Sequence, residues 1–308
     1  MTTAPQNDRP LKTFAGERPP APAWFDWAVA QTPERGEVVV QGARIETLAW
    51  GERGKPGILL LHGGWAHADW WSFIAPFLAE DYRVAAISWS GMGGSDWRSV
   101  YSLGTLVEEA LTGAEVTALF DGPVKPVVAG HSFGGHMALA CAALAGERLR
   151  AAAIIDTVLR LPGEDSRPRR EPRENRLYPS FEAAVANFRF MPRQSVTNLY
   201  LADFIARRSL KAVTDPATGA PAWTWRFDPF LWSRFERGSG SELAAEARCP
   251  LATFWGGRST LTIPLREMAR EILPAGTPFI VIPDADHHVL VDQPLAMVAA
   301  LRTFAALA

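Results

Sequence analysis

The stretch that decides the fold is Val127-Val128-Ala129-Gly130-His131-Ser132-Phe133-Gly134-Gly135-His136. An apolar, β-branched run leads into a G-x-S-x-G pattern, and the Ala-rich stretch Met137 to Ala145 follows, which predicts strand, sharp turn and helix in that order. Gly130 and Gly134 remove a Cβ where strand and helix pass closest to Ser132. The serine can then hold a strained backbone angle and lift its hydroxyl off the sheet. Ser132 is the candidate nucleophile.

Outward from this turn, Gly57 to Leu61, Arg83 to Ser88, Pro126 to Gly130, Ala151 to Asp156, Leu251 to Trp255 and Pro278 to Ile282 are short and almost wholly apolar. Such runs are expected of parallel strands buried on both faces. Glu37 to Val40 and Ala43 to Trp50, joined at Gln41-Gly42, read as an antiparallel hairpin at the sheet edge. Helical stretches at Ala68 to Ala79, Ser102 to Phe120, Phe133 to Ala145, Ile263 to Ile272 and Pro294 to Leu307 separate most of the strands. The alternation predicts an α/β fold, an eight-stranded, mostly parallel sheet with helices on both faces.

Residues 157–250 break the rhythm, being far longer than a crossover of about a dozen residues. They are expected to hold an insertion. Residues 158–245 read as a helical cap with amphipathic helices at Phe181 to Phe190 and Asn198 to Leu210, an aromatic turn or strand at Ala222 to Phe227, and a solvated connection at Arg160 to Arg176. Residues 1–35 read as a loose arm and a short helix around Ala23 to Val29, leaving 36–157 and 246–308 as the core.

With 308 residues of which 48 % are hydrophobic, the chain has ample core for a two-sided sheet. Its formal charge is −2 with both signs intermixed, so it offers no electrostatic footprint for nucleic acid or an anionic membrane. A small neutral or apolar molecule is the expected partner, and a homodimer is the one protein assembly considered. Cys141 and Cys249 lie far apart, and no disulfide is expected. The first residues lack the apolar core of a signal peptide and no segment reads as a membrane span, which gives a cytoplasmic expectation. No ligand-spaced metal cluster is visible, so neither metal nor other cofactor is expected.

A serine hydroxyl needs a base to take its proton, and the base needs a third group to orient it. Of the six histidines, His62, His67, His131 and His136 lie in or before the elbow, whereas His287 and His288 follow the last strand. A loop there reaches the carboxyl edge of the sheet, where Ser132 also emerges. His287 is taken as the base, with His288 packing beneath the loop.

At this point the chain resembles the α/β-hydrolase superfamily, capped branch, from about residue 35 onward. The resemblance rests on Leu61-His62-Gly63-Gly64, Ser90-Gly91-Met92-Gly93-Gly94-Ser95-Asp96, the elbow, and Asp286-His287-His288-Val289-Leu290-Val291-Asp292-Gln293-Pro294. It implies Ser132 as nucleophile, His287 as base, and an oxyanion hole from the backbone N–H groups of Phe133 and Gly64. Trp65, next to Gly64, is an alternative donor or a pocket wall. The family's usual acid position, after the seventh strand, falls at Trp255-Gly256-Gly257-Arg258-Ser259-Thr260, where no carboxylate occurs before Glu267. Some members place the acid at the end of the sixth strand, where this chain has Asp156; Asp284 and Asp286 are outside candidates. Ser259→Ala is accordingly expected to be nearly silent. Trp65, Trp223 and Trp225 are the selected pocket residues among the tryptophans, with Trp70, Trp71 and Trp97 also considered.

The resemblance implies a cofactor-free serine hydrolase that cleaves a small carboxylic ester or related acyl bond through an acyl-enzyme. A carbon–carbon bond hydrolase and a cofactor-free perhydrolase are alternatives with similar triads. A non-catalytic small-ligand receptor is the alternative of another class.

Overall fold

Mostly aliphatic runs become doubly buried strands, and here they form the centre of one eight-stranded sheet. The computed structural model describes residues 9–160, 172–236, 238 and 240–308. In chain order, α1 (Ala23–Ala30) precedes β1 (Glu34–Val40), β2 (Ala43–Trp50), β3 (Gly57–Leu61), α2 (Ala75–Leu78), β4 (Arg83–Ile87) and α3 (Leu103–Val116). The elbow region follows as β5 (Val127–His131), α4 (Phe133–Ala145) and β6 (Ala151–Ile155). The long interval holds α5 (Phe181–Ala186), α6 (Leu199–Arg208), β7 (Leu210–Thr214), β8 (Pro221–Trp225) and α7 (Leu231–Arg234). The chain ends with β9 (Leu251–Gly256), α8 (Arg266–Ile272), β10 (Phe279–Ile282), α9 (Val289–Asp292) and α10 (Pro294–Leu307).

The sheet order is β1-β2-β4-β3-β5-β6-β9-β10, with β2 antiparallel to both β1 and β4 and the remaining pairs parallel. At the β1–β2 connection Gln41 and Gly42 both have positive φ, 44° and 79°, as a two-residue type I′ turn requires. Strand order reverses around β3, whose neighbours are β4 and β5. Such a switch point opens a crevice at the carboxyl ends of the strands. The loops after β3 and β5 therefore emerge side by side.

Alternate side chains of the strands feed two cores. Leu60, Ala86 and Ala129 face Trp71, Leu78, Met297 and Leu301, while Leu59, Ala85 and Val128 face Leu106, Ala110 and Met137. The tryptophans of α1 find their partner in Phe77, at ring distances of 6.2 Å for Trp24 and 4.7 Å for Trp27. Phe25 lies 5.0 Å from Tyr200 and 5.7 Å from Phe204 of α6.

Several boundaries differ from the sequence expectation. The helix expected over Ala68 to Ala79 splits into a 3₁₀ turn, Ala68–Trp71, and the short α2, because Pro76 has no N–H with which to continue the first turn. β10 is not doubly buried: it pairs only with β9, and Ile280 and Val281 are 39 % and 49 % exposed at the sheet edge. The insertion is not purely helical, since α6 stops at Arg208 and Leu210 enters an antiparallel hairpin, β7 with β8. Most of the expected connection at Arg160 to Arg176 (161–171), and residues 1–8 of the expected arm, lie outside the described residues. Among the described residues, no helix is long and apolar enough to cross a membrane.

Candidate active site

Ser132 joins β5 to α4 with φ 55° and ψ −116°, a conformation that L-residues adopt only under constraint. The constraint is close packing by glycine. A Cβ on Gly130 would strike the Gly134 carbonyl, one on Gly134 the Leu61 carbonyl, and one on Gly135 the Thr157 hydroxyl. The Ser132 N–H donates to the Ile155 carbonyl at 2.9 Å, and Thr157 Oγ1 donates to the Ser132 carbonyl at 3.0 Å. These bonds tie the turn to β6.

Ser132 Oγ lies 3.0 Å from His287 Nε2, and His287 Nδ1 lies 2.8 Å from Asp156 Oδ2. The carboxylate can only accept, so Nδ1 carries the proton and Nε2 is left free to accept from the serine. Asp156 follows β6 at φ 44° and is 1 % exposed. Its Oδ1 accepts from the Gly256 N–H at 2.9 Å and Thr262 Oγ1 at 2.8 Å, and its Oδ2 also accepts from Ser259 Oγ at 2.6 Å. All the carboxylate's acceptor positions are thus filled by His287, the last residue of β9 and the turn after it. Asp284 instead faces Arg258, with Oδ1 3.5 Å from Nη1, and Asp286 Oδ1 accepts from the backbone N–H of His287 at 2.9 Å.

Ser259 was expected to be inert, and the structure corrects that expectation. Its fully buried hydroxyl anchors the same oxygen that holds His287. Removing one hydrogen bond to a buried carboxylate costs about 1.5–3 kcal/mol. Ser259→Ala should lower the melting temperature by a few degrees and kcat by roughly tenfold, the rate equivalent of about 1.4 kcal/mol. Thermal melts and ester kinetics check this; wild-type kcat would show that the three remaining donors suffice.

His62, His131 and His288 are kept neutral by burial. His131 Nε2 donates to the His287 carbonyl at 2.8 Å, and burial pushes its pKa down to about 3. His62 donates from Nδ1 to the Gly63 carbonyl at 2.8 Å and accepts from the Trp89 N–H at 3.1 Å, and its pKa also falls to about 3 through burial. The His-Gly loop is thereby fastened to the end of β4. Burial holds His288 well below the usual histidine range, with its ring 4.9 Å from Phe190 and 5.6 Å from Trp70. Folding gathers ring nitrogens of His131, His287 and His288 within 4.8 Å of one another. A metal there would compete with the bonds that His287 makes to Ser132 and Asp156 and that His131 makes to the His287 carbonyl.

A Cβ on Gly63 would lie 3.2 Å from the Ser132 Cβ, so the loop after β3 passes directly over the serine. Phe133 is the first residue of α4, and among the described residues neither its N–H nor that of Gly64 donates to a protein acceptor. Trp232 of α7 covers this corner, 4.9 Å from Phe133, and an added Gly64 Cβ would approach its ring to 2.9 Å. Sequence reasoning missed Trp232, which sits in an aromatic run without a motif. From Gly64 and Trp65 a cavity of about 460 Å³ extends beneath the insertion, walled by Trp70, Phe188, Phe190 and Trp225 among others. Ser132 is not itself one of these walls. Trp223, expected at the pocket, instead packs its ring 4.9 Å from Phe181 and is not a cavity wall. Trp71 is core, and Trp97 lies under Lys211 at 4.5 Å.

The insertion also grips the histidine loop. Gln194 donates from Nε2 to the Asp292 oxygens at 3.1 and 3.0 Å and accepts the His288 N–H at 2.9 Å. Burial raises the Asp292 pKa to about 6 despite these bonds and that from the Asp286 N–H. Asn198 Nδ2 donates to the carbonyls of Val291 and Asp292.

With fold and site in place, comparison with known proteins identifies the class. Residues 58–301 match the model of the alpha/beta hydrolase family, and the chain belongs to that family. It is similar to the lipase LipV of Mycobacterium tuberculosis, 32 % identical over 114 residues that cover 37 % of this chain and 42 % of the lipase. It is also similar to human epoxide hydrolase 4, 34 % identical over 102 residues, 32 % of this chain and 26 % of that protein. The chain thus spans less than half the length of these curated relatives. Among solved structures, the thioesterase domain from the curacin biosynthetic pathway superposes with a TM-score of 0.70 at 18 % identity, covering 89 % of this chain and 99 % of the domain. An esterase from Mycobacterium tuberculosis gives 0.65 at 19 % identity, covering 92 % and 96 %. Hydrolase chemistry is what the family supports, and at these identities the structural likenesses show the fold alone.

Proposed function

We propose that the chain is a serine hydrolase that cleaves a small carboxylic ester or related acyl bond through an acyl-enzyme, with Ser132 as nucleophile, His287 as base and Asp156 as the orienting acid. The observation that carries this reading is the unbroken chain of hydrogen bonds from Ser132 Oγ through His287 to Asp156. As Oγ bonds to the carbonyl carbon, His287 Nε2 takes its proton and the carbonyl electron pair moves onto oxygen. The N–H groups of Phe133 and Gly64 are the donors assigned to that oxyanion. Collapse breaks the bond to the alcohol, which leaves with the proton from His287. Water then repeats the sequence on the acyl-enzyme, releasing the carboxylic acid and restoring Ser132. An elbow carboxylate, required for alkyl-enzyme chemistry on epoxides, is replaced here by Ser132.

Turnover of p-nitrophenyl acetate and butyrate, with one p-nitrophenolate released per chain in a pre-steady-state burst while the acyl group stays on Ser132, tests the reading. Absence of turnover across short and medium acyl chains would sink it.

Residues 158–245 are proposed as the roof of the substrate cavity. Trp225 borders the cavity whereas Trp223 does not. Trp225→Ala should therefore shift the preferred acyl length upward by two or more carbons, and Trp223→Ala should lower stability without moving that preference. A p-nitrophenyl ester series from two to ten carbons measures both. An unmoved preference in Trp225→Ala would exclude the cavity as the acyl site.

A further inference from the structure

The cavity is lined by two kinds of residue. Its walls include the aromatic rings of Trp65, Trp70 and Trp225, and, among the described residues, Arg9, Arg173, Arg176, Arg189 and Arg226 with one carboxylate, that of Glu174. A chain of net charge −2 thus gathers several positive charges on the walls of one cavity. Arg226 is paired with Glu46 at 3.6 Å. Among the described residues, Arg173, Arg176 and Arg189 have no ion-pair partner. Like charges gathered on one concave surface repel one another, and an anion held among them would relieve that repulsion.

These arginines are carried on anchored backbone. Asn175, between two of them, donates from Nδ2 to the Phe227 carbonyl at 2.7 Å. Tyr178 exchanges two backbone hydrogen bonds with Trp223 of β8, each 2.9 Å, and the Arg176 guanidinium lies 5.2 Å from the centre of its ring. Arg189 stands between Phe188 and Phe190, whose buried rings are themselves cavity walls. The guanidinium groups are exposed, but their points of attachment are held.

We infer that the cavity selects an ester with a terminal carboxylate, an apolar segment and then the reacting carbonyl. Arg173, Arg176 and Arg189 receive the anion, the segment lies along Trp225, Phe188, Phe190 and Trp70, and the carbonyl reaches the loop at Gly64. The inference rests on the acyl-transfer reading and replaces the neutral or apolar substrate expected from net charge. Guanidinium groups suit this task because they stay charged and meet a carboxylate through paired donors.

The test compares p-nitrophenyl hydrogen adipate with its neutral methyl ester, and 4-butyryloxybenzoate with phenyl butyrate, so that the anion is placed on either side of the scissile bond. At least one anionic ester should exceed its neutral counterpart tenfold or more in kcat/KM at low ionic strength. The advantage should shrink at 0.5 M salt and fall by about tenfold in Arg176→Gln/Arg189→Gln. Arg53→Gln, on the turn between β2 and β3 and not a cavity wall, should leave the ratio unchanged. Equilibrium binding of hexanoate against hexanamide, followed by the fluorescence of the cavity tryptophans, gives a readout independent of catalysis. Equal binding of the two, together with equal turnover within each ester pair, overturns the inference. Anion-selective binding that disappears in the double variant, with no ester turned over, upholds the arginines as the anion site and overturns the acyl-transfer reading, and the ester assignment with it.

Discussion

Ser132→Ala should abolish covalent labelling by a fluorophosphonate and lower kcat for p-nitrophenyl butyrate by about 10⁴–10⁶-fold, the scale seen when a triad nucleophile is removed. The variant keeps the turn, because the Ser132 N–H and carbonyl bonds to Ile155 and Thr157 are made by the backbone. It does not relieve the positive φ, since alanine has the same Cβ. Ser132→Gly separates function from stability: it should be equally inactive, yet raise stability by about 1 kcal/mol by removing a Cβ from the left-handed region. Intact mass after labelling, burst amplitude and melting temperature of the three proteins decide the matter. Labelling that survives in Ser132→Ala would move the nucleophile to another residue, and a glycine variant less stable than wild type would show that the elbow is not strained by its side chain.

Asp156→Asn should fold and still lose on the order of 10²–10⁴ in kcat, as loss of a triad carboxylate does in a serine protease. The hydrogen bonds around the group dictate the mechanism of the loss. The Gly256 N–H at Oδ1 is a backbone donor that cannot reverse, so the amide oxygen must take that position. The amide nitrogen is then placed where Oδ2 was, facing both Ser259 Oγ and His287 Nδ1. Ser259 can rotate its hydroxyl to accept. His287 can accept only as the other tautomer, with its proton on Nε2, and that tautomer cannot take a proton from Ser132. The loss should therefore appear in kcat with little change in KM. Adding Ser259→Asp to Asp156→Asn should restore part of the rate, because a carboxylate then stands beside the same ring nitrogen. Ser259→Asp alone should be strongly destabilised by two carboxylates in contact. Near wild-type kcat in Asp156→Asn would remove Asp156 from the mechanism and leave the buried network as scaffolding.

Much of this molecule is legible from local pattern. The elbow could be read because its glycines are needed at fixed offsets from Ser132, where backbone atoms approach too closely for any Cβ. Five of the six runs read as doubly buried strands fill the interior of the sheet, since an uninterrupted aliphatic run has no polar face to turn outward. The exception, β10, carries the same kind of residues but lies at the edge, and strand composition does not encode which strand is last. His287 was accessible to sequence reasoning because a loop after a parallel strand must emerge at the same edge as the elbow.

What tertiary structure alone decided lies in contacts between residues far apart in the chain. The role of Ser259 depends on the distance from its hydroxyl to Asp156, 103 positions away, and no spacing rule reports it. Trp223 and Trp225 sit on the same face of β8 by alternation, yet one packs on Phe181 and the other borders the cavity, because neighbouring elements determine which part of that face is covered. The grouping of Arg173, Arg176 and Arg189 beside an aromatic cavity is invisible in a sequence whose charges are intermixed and nearly cancel. Local pattern specifies elements through the backbone's own sterics and periodicity, whereas the electrostatics of a cavity depend on side chains that only the folded chain brings together.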